Sequence, residues 1–389
     1  MKGTNKILYF YLVIILFMVA PFTLSYTDTD NTEILNAVVL PTFISSASSG
    51  IRWIILGIMT INSLFLLNRN LKNISKPVLF FALFYGVQLV YAIVDGFDIG
   101  RFLLMSALSI LIPLHLSISF KYFGEKLINI FTYCIFAFIT FSLLLNGTLA
   151  LSGQRFFGFI NNSNLYAMTA VFWAVILVLK LKQDKGKKNI AVNIFLILLI
   201  LTIILSGSRN GLIGIILVLA ISFYNKIKNS IVFLSIFAIA FLILSNFVNL
   251  SFVEERLFNI STSVEDSGRD EIWHTAYRAI SQNLYTGNGM NANVIISKTG
   301  NMHNSYIRFL LNMGLIFTVI ALILYVLSIF NVLINRKKVP LVILAFLIAY
   351  TLVNFGEDYF VGLGSSMFIY IMILYGLINY YLKFQIIKK

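Results

Sequence analysis

The residues of this chain that could do chemistry fall into four short clusters, each built around arginine or histidine. Gly153–Asn164 reads GQRFFGFINNSN, with Arg155 among aromatics and Asn161, Asn162 and Asn164 supplying amides at a helix start. Ser206–Gly211 reads SGSRNG, which is a tight turn or helix break with Arg209 at its apex. Ser267-Gly268-Arg269-Asp270 has capping-box spacing, with Ser267 as cap and Asp270 three residues on. Met302-His303-Asn304 precedes an apolar run in which Asn304, Arg308 and Asn312 recur every four residues, a polar stripe on one helix face.

Arginine, rather than lysine, suits a site that must grip a phosphate or carboxylate at two points, because its planar fork donates in parallel. A helix break adds backbone N–H groups aimed at an anion. Histidine titrates nearest neutrality, so His303 is the candidate for proton transfer. Each cluster also has a plain structural reading: an interfacial aromatic anchor with an N-capping Asn, a turn with a snorkelling Arg, a packed His. His115 sits mid-span in LIPLHLS as a packed polar residue, and His274 points from a loop helix into solvent. No metal signature is present, neither HExxH nor CxxC. The acidic pairs Asp95/Asp98 and Glu357/Asp358 have the chemistry to bind a divalent ion, but read first as counterions to arginine at the site's mouth. Gly287-Asn288-Gly289 is a turn without the strand and helix that a dinucleotide loop needs.

The elements that must position these clusters are membrane helices. Mean hydropathy is +0.91, with 59% hydrophobic and 11% charged residues, and apolar runs approach the roughly 20 residues that cross a bilayer. Twelve spans are expected: a retained first helix to residue 24, then 50–67, 77–94, 101–119, 127–146, 164–180, 189–206, 211–224, 230–249, 305–333, 339–355 and 365–382. The short 211–224 run forms a broken or re-entrant pair with 189–206, and 36–49 is left unassigned. The fold class is thus all-α integral membrane, one polytopic domain over 1–389, with a large extracytoplasmic loop at 250–304. Within that loop, Trp273, Ala276, Tyr277 and Ile280 recur at helical spacing, so 268–282 is expected as an amphipathic helix lying on the membrane face. Cys134, inside an apolar run, is the chain's single cysteine and can form no internal disulfide.

Charge sets the orientation. With both termini inside, the inner loops collect eighteen lysines and two arginines against only Glu125 and Asp184. The outer face then holds thirteen carboxylates, eight arginines and a single lysine, Lys298. That bias toward arginine, on the face where positive charge is disfavoured, points to anion binding. No stretch interleaves basic and aromatic residues in a way that reads nucleic acid.

The order and spacing of GQRFFGFINNSN, SGSRNG, SGRDEIW, LYTGNG and MHNSYIRFLLNMGLIF resemble the O-antigen ligase and polymerase superfamily, the Wzy/WaaL-type membrane glycosyltransferases, over residues 150–335. The last element is similar to the family's HN-x-x-L-x-x-L-x-x-x-G pattern. The resemblance implies a GT-C-like fold in the bacterial cytoplasmic membrane with its active site facing outward. It implies a glycan carried on undecaprenyl diphosphate as substrate, and no cofactor or metal. The family's diphosphate-binding arginines fall on Arg209 and Arg269, with Arg155 and Arg278 beside them, and its loop histidine on His303. Asn164, Trp273, Asn304 and Arg308 complete the expected substrate-binding set. The implied function is polymerisation of lipid-linked repeat units into O-antigen, capsular or exopolysaccharide, with a chain-length regulator as partner. The alternatives are a ligase transferring finished glycan to a lipid or protein, and a flippase. A flippase is expected to show internal repeats and midplane charges, and neither is evident.

Overall fold

The computed structural model describes residues 3–22, 41–152, 154–160, 162–184, 189–224, 269–297, 302–360 and 365–385. The described residues form helices and connecting turns, with no strand: α1 (Gly3–Val19), α2 (Thr42–Asn70), α3 (Lys76–Asp95), α4 (Ile99–Leu151), α5 (Ser163–Gln183), α6 (Ile190–Leu205), α7 (Arg209–Phe223), α8 (Arg269–Gln282), α9 (Ala292–Ile296), α10 (Ser305–Ile334), α11 (Leu341–Val353) and α12 (Ser366–Lys383). Six of these, α2, α3, α4, α5, α10 and α12, are long and apolar enough to cross a membrane, while α1, α6, α7 and α11 are shorter apolar helices. The all-helical, multi-pass class read from hydropathy is what the fold shows. The expected span at 230–249 and the cap Ser267 lie outside the described residues.

Two boundaries differ from expectation. The unassigned stretch before residue 50 contributes Thr42–Ser49 to α2. The runs 101–119 and 127–146 join into the single helix α4. A straight helix would separate Phe120 from Phe131 by about 16 Å. Their ring centroids lie 6.3 Å apart, so the path of α4 folds back between them, around Lys121–Lys126. The ring of Tyr9 on α1 stacks at 4.1 Å on His115 before the bend, and Phe17 stacks at 4.1 Å on Phe131 after it. The two apolar runs thus lie on either side of this bend. Charged residues at the bend did not interrupt the helix because lysine and glutamate are good helix formers.

The two ends of the bundle differ chemically. At one end Lys6 lies over the Tyr122 ring, Lys121 lies over Phe384, and Lys383 donates to the Lys72 carbonyl. The other end gathers Arg101 with Asp98, Arg308 with Asp358, Arg155 with Ser206 and Arg269 with His303. Asp95, expected as another arginine counterion, instead accepts from the backbone of Met290 at 2.8 Å.

Helix α10 is broken at Gly314, whose φ of +69° lies in the left-handed region. A break in an apolar helix strands backbone polar groups that lipid cannot satisfy. Here the segment Leu284–Gly289, the LYTGNG motif, supplies partners. Asn288 N and Gly289 N donate to the Leu311 and Asn312 carbonyls at 2.9 and 3.1 Å, and Leu315 N donates to the Leu284 carbonyl at 2.7 Å. Asn312 completes the tie, donating through Nδ2 to Met290 O and Asn293 Oδ1, both at 3.0 Å.

Candidate anion-binding site at the arginine end

The SGSRNG turn does what its composition suggests. Gly207 takes φ +60°, and Ser208 caps α7 by accepting from Gly211 N at 3.2 Å, so Arg209 and Asn210 are the first residues of a fresh helix. Gly211 is required by packing, since a Cβ there would stand 2.4 Å from that of Ala167 on α5. Arg155 is fastened onto this turn. Its Nε donates to the Ser206 carbonyl and its Nη2 to Asn164 Oδ1, both at 3.1 Å. Asn162 caps α5 by accepting from Leu165 N at 2.9 Å, the capping role expected of this amide cluster.

The opposite wall is α8 with the start of α10. Ile272, Trp273, Ala276 and Ile280 of α8 pack against Ala292, Met302, Ile307 and Leu311. The apolar face of this helix thus lies on protein, not on the membrane face as expected, and Tyr277 is turned outward. Trp273 anchors it by donating from Nε1 to the Met302 carbonyl at 2.8 Å. One turn earlier, Arg269 Nη2 lies 3.4 Å from His303 Nδ1. His303 has φ +49°, and such left-handed non-glycine residues tend to cluster at functional sites. Asn304 next to it caps α10, accepting from Tyr306 N and Ile307 N at 2.9 and 3.0 Å.

The loop after α11 closes the gap between these walls. Asn354 Oδ1 accepts from Ser305 Oγ at 2.7 Å and from Tyr359 N at 3.1 Å, and Ser305 N donates to the Glu357 carbonyl at 3.1 Å. This clamp places Asp358 in an ion pair with Arg308 and Glu357 against Asn210, whose Nδ2 donates to Glu357 Oε1 at 3.4 Å. Gly356 permits the contact, because a Cβ there would meet the Asn210 amide at 2.7 Å.

Burial sets the electrostatics. The Glu357 carboxyl is pushed up to about 7 by desolvation, opposed by the charge of Arg269, the Asn210 hydrogen bond and the charge of Arg155. His303 is pushed down to about 4, by desolvation first and then by the Arg269 cation, against the pull of Asp358. The imidazole is therefore neutral near pH 7. A guanidinium only donates, so Nδ1 accepts from Arg269 and the ring proton sits on Nε2.

Of the residues singled out from sequence, Arg155, Asn164 and Arg209 meet on the turn wall, and Arg269, Trp273, His303, Asn304 and Arg308 meet on the α8–α10 wall. Arg278 does not join them; it is exposed, two residues past the inward Ala276. Glu357 and Asn210 were missed as central residues. Glu357 was read as a counterion at the mouth, yet it is only 6% exposed.

The fold and this site define a multi-pass helical membrane protein with arginines and two helix starts gathered at one end. Residues 194–322 match the family model Wzy_C, described as O-antigen ligase, a stretch that runs from α6 into α10 and holds Arg209, Arg269, His303 and Arg308. The match supports the O-antigen polymerase/ligase superfamily and a glycosyltransferase-like activity of that type. No curated protein shows significant similarity to the chain.

Proposed function

We propose that this protein polymerises oligosaccharide repeat units carried on undecaprenyl diphosphate, at the outer face of the bacterial cytoplasmic membrane. The observation that carries this reading is the convergence of Arg155, Arg209 and Arg269, from three separate segments, around the capped start of α7. In this reading the chain makes twelve crossings in a GT-C-like arrangement. The lysine end lies in the cytoplasm, the arginine end lies outside, and a chain-length regulator is a partner.

The chemistry follows from where charge develops. An acceptor hydroxyl attacks the anomeric carbon, and undecaprenyl diphosphate departs as its bridging oxygen gains negative charge. Prepositioned arginines and the α7 N-terminus stabilise that charge more strongly in the transition state than in the ground state. His303, neutral and protonated on Nε2, orients the acceptor hydroxyl or donates to a phosphate oxygen.

The O-antigen ligase family matched by residues 194–322 favours a second reading, a ligase that moves finished glycan to another acceptor. A gel ladder of surface and lipid-linked glycan, from cells with and without the gene, separates the two. Single repeat units at the surface in place of a ladder mean polymerase, and full ladders retained on the lipid carrier mean ligase. Unflipped single units inside the cell overturn both in favour of a transporter. An Arg209→Ala or Arg269→Ala protein that still gives a normal ladder refutes the electrostatic part.

A further inference from the structure

We propose that Glu357 is the group that takes the proton from the acceptor hydroxyl; this rests on the glycosyl-transfer reading above. Two adjacent carboxyls stand in opposite environments. Asp358 is committed to Arg308 and to Ser305 Oγ at 3.3 Å. Glu357 forms no ion pair within 4.0 Å among the described residues, and its side chain meets only the Asn210 amide, at 3.4 Å. A buried carboxylate without a close cation is costly, and such pairs of carboxyls with divergent environments are a recurring mark of acid–base work.

Its neighbours fit the task. Arg269 and Arg155 act on it by charge from the two walls, and Asp358 and Tyr359 border it on its own loop. Its carboxyl thus lies within reach of the charges of both walls. His303 is less suited to accept, because its Nδ1 lone pair already faces the Arg269 guanidinium. Burial also brings the Glu357 carboxyl to about 7, where a carboxylate is basic enough to receive a proton and still ionised in a large fraction of molecules.

The step balances as follows. The hydroxyl proton passes to a Glu357 oxygen while the hydroxyl oxygen's electron pair forms the new bond to the anomeric carbon. The bond from that carbon to the diphosphate oxygen breaks, its electron pair leaving on the diphosphate. Glu357 then returns the proton to solvent or to the departing diphosphate.

The test uses full-length protein in membranes with lipid-linked repeat units extracted from the source cells. Glu357→Gln keeps the shape and the Asn210 contact. It is expected to cut the transfer rate by about 10²–10⁴-fold, to leave the KM for lipid-linked donor nearly unchanged, and to abolish the rise of wild-type rate with pH through about 7. Glu357→Asp is expected to recover part of the rate. A Gln variant with wild-type rate and pH profile overturns the proposal. So does one in which only donor KM changes, which would make Glu357 a positioning anion for the arginines. Wild-type protein that transfers no sugar at all would instead fail the reading it rests on.

Discussion

Arg269 Nη2 and His303 Nδ1 lie 3.4 Å apart although 34 residues separate them in sequence. A cation facing a ring nitrogen fixes the tautomer and disfavours a second proton, so the two residues work as one unit. Arg269→Gln should raise the His303 pKa from about 4 toward 6.5, since the charge of Arg269 is one of the two causes holding it down. Titration of isotope-labelled histidine by NMR reads this directly. An unmoved titration would mean that burial alone sets the value.

Gly314→Ala should destabilise the fold by at least about 1–3 kcal/mol, the range for a strained backbone position. Its Cβ would stand 2.4 Å from Gly287 N and 2.5 Å from the Tyr285 carbonyl. Gly287→Ala strikes the same crossing from the other side, 2.4 Å from the Asn312 carbonyl. Thermal unfolding in detergent should therefore show that the double variant loses less than the sum of the singles.

Arg308 and Asp358 form an ion pair with side chains 14% and 4% exposed. Removing either partner alone leaves a buried charge and should cost about 3–5 kcal/mol. The pair Arg308→Met with Asp358→Asn should recover much of that loss. A double-mutant cycle on unfolding midpoints checks it, and simple additivity would refute the coupling.

Stability should respond to pH through two groups of opposite sign. Glu357 titrates near 7 folded and 4.5 unfolded, so the folded state holds the extra proton and stability falls as pH rises across that window. His303 titrates near 4 folded and 6.5 unfolded, so the unfolded state holds the extra proton and stability rises across its window. Wild type should thus look nearly flat from pH 4.5 to 6.5. Glu357→Gln should gain stability over wild type progressively between pH 4.5 and 7. A constant difference at all pH values would contradict the burial of that carboxyl.

Much of the scaffold was legible because apolar length and charge sign are properties of contiguous sequence. Lys76–Asp95, Ser163–Gln183 and Ser366–Lys383 fall within a few residues of the expected spans. The Asn162 cap was readable from residue type at a helix start. Glu357 was not, since nothing in GEDYF distinguishes a buried carboxyl from an exposed one. Its burial follows from Asn354 and Ser305 clamping the loop, a contact spanning 49 positions. The continuity of α4 was not legible either: two apolar runs separated by KYFGEK read as two helices, yet helical hydrogen bonding continues through that stretch. Arg278 misled because arginine count and helix membership say nothing about which face a side chain takes.

The Gly287–Gly314 crossing also bears on how members of such a family could diversify. Leu284–Gly289 donates and accepts backbone hydrogen bonds across the break in α10, so loop and helix share one ladder. Recombination that swaps the loop alone would leave one half of that ladder facing a foreign backbone. The smallest segment that can be exchanged intact is therefore the whole of 284–316, and specificity grafted between relatives should transfer as that cassette or not at all.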